Sequence, residues 1–169
     1  MSSRILWPEI NKDIAPERTP ATILKEQAEA LSAITGSTLK GKVNHFPAIL
    51  TRDKRIKFLV VGSWDTKKSD SLSGHVLLII APKLNNYEIP ILNIAYHPLN
   101  TYPVYITSDM MVNAGEMEKE AILQSDSEEE FVDLLKSILS SDRVNRIIHS
   151  LIAQSKDPDP LYVDQDDPF

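Results

Sequence analysis

The chain of 169 residues has no cysteine and only five glycines. The missing cysteines exclude disulfides, thiolate zinc sites and cysteine nucleophiles together, and they suit a reducing compartment. Gly36, Gly41, Gly62, Gly74 and Gly115 stand far apart. Dinucleotide-binding and P-loop motifs both need clustered glycines so that backbone can approach phosphate, so neither is present. Long apolar runs are missing too. The longest, residues 76–81, is strand-sized and far short of the ~20 residues that span a bilayer. Residues 1–9 have no apolar run behind a basic start and do not read as a signal peptide. The expected location is the cytoplasm.

Positive charge is in deficit. The net charge of -6 repels phosphate, which disfavours general binding of nucleic acid or an anionic membrane unless the basic residues cluster. With 42% hydrophobic and 25% charged residues, the chain can bury a core and fold as a globular unit.

The patterning that is present reads as an α+β fold: an N-terminal helix, an antiparallel meander sheet of five or six strands, and two C-terminal amphipathic helices packed on the sheet. Residues 1–18 read as an irregular arm, 19–156 as a single α+β domain, and 157–169 as an acidic flexible tail.

The first helix has clear punctuation. Thr19 is placed to cap it, Pro20 fits the first helical position, and Gly36 ends it in a left-handed conformation. Leu24, Ala28 and Leu31 share one face, with Ile23, Ala30 and Ile34 beside them. Alanines at 28, 30 and 33 permit close approach to a sheet.

From Gly41 to Ile106 the period shifts toward two. Strands are expected around 43–49, 56–60, 75–81, 87–96 and 103–107, with a polar hairpin loop at 63–73 and a turn at Asn85-Asn86 that accepts positive φ. Pro90 removes a ladder donor and points to an edge or a bulge. Residues 116–124 read as a last strand, with a helix as the alternative. Ser125 and Glu128 then have capping-box spacing ahead of Phe131, Leu134, Leu135, Ile138 and Leu139. Ser140-Ser141-Asp142 breaks and re-caps the chain before Val144, Ile147, Ile148, Leu151 and Ile152 repeat the three-and-four spacing.

Candidate chemistry is sparse. Asp53 followed by Asp65-Thr66-Lys67 imitates a metal-dependent nuclease pattern, in which an acid and an acid-x-lysine pair hold metal, phosphate and the attacking water. It departs from that pattern because Asp65 and Lys67 fall in an expected loop and no supporting glutamate is evident. His45, His75, His97 and His149 lack metal-ligand spacing. His97 is the catalytic candidate among them, at a strand end beside Tyr96 and Tyr102, with His75 a possible antiparallel neighbour. Ser63 lacks the flanking glycines of a nucleophile elbow. Arg52, Lys54, Arg55 and Lys57 crowd one turn near Phe46, Phe58 and Trp64, a combination that can grip single-stranded nucleic acid.

No cofactor or metal is expected. The leading expectation is a non-catalytic protein that binds another protein, as an adaptor, a regulator or an inhibitor of the immunity or antitoxin type. Trp7, Tyr87 and Met110-Met111 are candidates for a contact surface, including a homodimer interface. A small metal-dependent nuclease or hydrolase is the alternative, and nucleic-acid binding through 52–57 the second.

Overall fold

The computed structural model describes residues 8, 18–50, 56–58, 71–108 and 122–157. The fold is α+β, with an N-terminal helix, an antiparallel sheet and two C-terminal helices on the sheet. The expected arm apart from Pro8 and Arg18, the expected tail after Asp157 and the Met110-Met111 segment lie outside the described residues.

Helix α1 (Pro20–Ile34) starts where its chemistry allows. The Thr19 hydroxyl accepts from the Thr22 amide at 3.2 Å, and Pro20 takes the first turn, where its missing N–H costs nothing. Gly36 (φ 57°) and Ser37 (φ 64°) then turn the chain through the left-handed region. Ala21, Ile23, Leu24 and Ala28 are buried. Two expectations are corrected here. Ile34, in the last turn of the helix, stays 83% exposed, and close approach occurs at Ala28 but not at the exposed Ala33.

The sheet contains β1 (Lys40–Leu50), β2 (Ile56–Phe58), β3 (Leu72–Ala81), β4 (Tyr87–Tyr96), β5 (Val104–Thr107) and β6 (Leu123–Ser125), in spatial order β2-β1-β3-β4-β5-β6. Every pairing is antiparallel. A meander runs from β3 to β6, while β2 folds onto the outer side of β1. Leu72 and Ser73, expected in a loop, are recruited into β3 by pairing with Ala48 and Pro47. Asn85 and Asn86 take φ of 56° and 53° in the β3–β4 turn, after a 3-10 turn at Pro82–Leu84.

Pro90 sits beside a β-bulge. Leu77 pairs with Leu92 but Leu78 pairs with Pro90, so Ile91 is the extra residue on β4. The β5 pairing reaches only to Asn93, so Pro90 needs no second ladder partner. The Ser108 hydroxyl donates to the Ile91 carbonyl at 2.6 Å and satisfies backbone that the bulge disrupts.

Helices α2 (Glu128–Leu139) and α3 (Asp142–Lys156) follow. The α2 cap is Ser127, not Ser125. The Ser127 hydroxyl accepts from the Glu130 amide at 3.2 Å, and the Glu130 carboxylate accepts from the Asp126 amide at 2.8 Å. Ser125 is held in β6 opposite Val104, fully buried, and its hydroxyl donates to the Ser127 carbonyl at 2.9 Å. Ser141 caps α3 by accepting from the Val144 amide.

The core lies between the helices and one face of the sheet. Register fixes which residues face it: Gly41, Val43 and His45 of β1 stand opposite Ile79, Leu77 and His75 of β3. Leu77, Ile79, Leu92, Ile94, Val104 and Ile106 pack with Phe131, Leu135 and Ile138 of α2 and with Leu24 of α1. Full burial of a side chain as large as Phe131 stabilises the fold by about 2–3 kcal/mol. No described helix is long and apolar enough to cross a membrane.

Candidate functional site

The residues singled out by sequence are not brought together among the described residues. Asp53, Asp65, Lys67, Arg52, Lys54 and Arg55 lie outside them. Lys57 is in β2 opposite Ile49, but its side chain is outside the description. His97 follows β4, and its Nδ1 accepts from the Leu99 amide at 3.2 Å, a bond local to that turn. Among the described residues, no three His, Cys, Asp or Glu side chains are grouped to hold a metal.

Two features stand out instead. The first is a groove of about 460 Å³ between α1 and α3, over the middle of the sheet. Leu31 and Ile34 form one wall, Ile148 and Ile152 the other, and Leu77 and Ile91 lie at the floor. It exists because α1 and α3 each pack on the sheet and α2, not α1, is the helix that α3 packs against. Among the described residues, its polar lining is Gln27, Thr35, Asn145 and His149, and none of the lining residues is Asp, Glu, Lys or Arg. A second groove of about 490 Å³ flanks the other side of α3, bordered by Leu84, Tyr87, Ile89 and Ile147. Tyr87, a contact candidate from sequence, is 54% exposed there.

The second feature is a cross-strand histidine pair that sequence reasoning missed. His75 does not meet His97. It stands opposite His45, with ring centroids 4.9 Å apart. Ser73 lies two residues before His75, hence on the same face, and its hydroxyl is 3.1 Å from Nε2 of both rings. One hydroxyl proton cannot serve both nitrogens, so one imidazole accepts from Ser73 while the other donates to it. The Tyr96 hydroxyl is 3.4 Å from His75 Nε2, and the Tyr96 ring stacks on His75 at 5.6 Å. Burial, reinforced by the like charges of His45 and Lys25, lowers the His75 pKa to about 4. His75 is therefore a neutral imidazole at pH 7.

No protein-family model, curated protein or solved structure matches the chain. The pair carried one signal in the sequence: His45 and His75 share strand parity with Val43 and Leu77, which places both on the core side once the register is known.

Proposed function

We propose that the protein is non-catalytic and binds another protein, as an adaptor, regulator or inhibitor, by seating an apolar helical segment of its partner in the α1–α3 groove. The observation that carries this reading is the groove itself, which among the described residues is apolar and uncharged, with Ile34 left exposed at its end. Such a surface carries a free-energy cost in water that is relieved when it is covered. Its chemistry also selects the occupant. The walls are helices whose backbone groups are already bonded within them, so they offer no free ladder to an extended strand. A guest must satisfy its own backbone, which a helix does. An uncharged lining would leave a guest's buried charge unpaired, so aliphatic side chains at helical spacing fit best.

The test uses the full chain in its native cells, with a photo-crosslinking residue at position 149 in the groove or at position 42 on the opposite face of the sheet. The expected result is one defined adduct from position 149, none from position 42, and at least a tenfold loss of that adduct in the Ile34→Glu variant. A synthetic peptide of the crosslinked segment is then expected to bind the purified chain and to show helical circular dichroism when bound. The reading fails if no adduct forms at 149, if both positions give the same adducts, if the adduct is a second copy of this chain, or if the peptide does not bind.

A further inference from the structure

We propose that His45 and His75, with Ser73 and Tyr96 beside them, form a binding site for a divalent transition-metal ion at one end of the helix-covered sheet face. The inference is independent of the groove. Both imidazoles direct Nε2 at one point, the Ser73 hydroxyl, 3.1 Å from each. The two nitrogens are thus no more than about 6 Å apart, and a metal held at about 2 Å from each needs only modest ring rotation and a turn of the Ser73 rotamer.

The layout suits a metal for three further reasons. Residues 73 and 75 on one strand, with 45 opposite on the next, place three side chains around one point on one sheet face. Two of the three are imidazoles, the ligands that zinc, copper and nickel favour. His75 is buried between Ser73 and the Tyr96 ring, which fixes its orientation, while His45 is exposed and leaves an entry path. The Tyr96 hydroxyl is placed to accept from a metal-bound water or to complete the coordination. Lys25 opposes a cation here, since its charge already reaches His75. Two imidazoles with water in the remaining positions correspond to binding in the micromolar range, well short of a structural zinc site.

The experiment adds Zn²⁺ alone to the full chain stripped with chelator, and follows the ring proton resonances of the four histidines by NMR. The expected result is that His45 and His75 shift together at micromolar Zn²⁺ while His97 and His149 do not. His45→Ala is expected to weaken binding at least tenfold without unfolding the chain, because His45 is exposed, whereas His97→Ala leaves it unchanged. Ser73→His would complete a three-histidine set and is expected to tighten binding by about 100-fold or more. The proposal is overturned if the His45 and His75 resonances stay still at millimolar Zn²⁺, if His45→Ala binds as the parent does, or if Ser73→His gives no gain in a folded chain.

Discussion

Gly41 of β1 lies directly beneath Ala28 of α1, so close that a Cβ on Gly41 would meet the Ala28 Cα at 2.4 Å and its carbonyl oxygen at 2.5 Å. Those contacts are with backbone, which cannot swing aside. Gly41→Ala is expected to lift α1 from the sheet and destabilise the fold by about 3 kcal/mol or more, read as a lowered urea midpoint. Gly36→Ala provides the contrast. Its Cβ would meet nothing within 4 Å, and only the φ of 57° resists it, so the expected loss is about 1 kcal/mol.

His75 sets a pH dependence whose direction follows from its depressed pKa. The unfolded chain takes up a proton near pH 6.5, and the folded chain resists until about pH 4. Its contribution to stability is therefore complete above pH 6.5, falls as pH falls through this window, and levels off below about pH 4. The loss is on the order of 2 kcal/mol. Urea unfolding in metal-free buffer at several pH values, compared between the parent and His75→Gln, isolates this term because the carboxylates contribute to both. Equal slopes in the two proteins would contradict the assignment.

The cap of α2 can be located by substitution. Glu130→Ala removes the carboxylate that bonds the Asp126 amide, and is expected to cost about 1 kcal/mol. Glu128→Ala removes an exposed ion pair with Arg18 and one of three first-turn acids of α2, and is expected to cost less than about 0.5 kcal/mol. The opposite ranking would move the capping box back to Ser125 and Glu128.

At the β4 bulge, Ser108→Ala is expected to cost about 1–2 kcal/mol, because it deprives the Ile91 carbonyl of a buried donor. Hydrogen exchange should speed up most at the amides around the bulge, and exchange unchanged from the parent there would deny Ser108 that role.

Local chemistry was legible in the sequence wherever a residue's own preference decides the backbone. Thr19 with Pro20, Gly36, the Asn85-Asn86 pair and Ser141 each do in the structure what their side chains favour. The bounds of β4 were readable too, because a turn and a histidine-proline step flank it. The α2 cap was not, because Ser125/Glu128 and Ser127/Glu130 have the same spacing. What separates them is the pairing of Ser125 with Val104, a tertiary contact. The histidine pair was hidden for a related reason. Its register is set across a long connection with no short turn to count through, and a slip of one residue would send either ring to the other face. The groove depends on how far apart two helices sit, which amphipathic spacing does not encode.

The strand order β2-β1-β3 has a consequence for how the chain tolerates change. Among the described strands, every other neighbouring pair is consecutive in sequence, and only β1 and β3 meet across an intervening strand, β2. The entropy of such a closure rises only with the logarithm of its length, and doubling it costs about 0.6 kcal/mol. Residues inserted between Phe58 and Leu72 are therefore expected to cost little closure entropy, because nine paired positions between β1 and β3 keep the sheet in register.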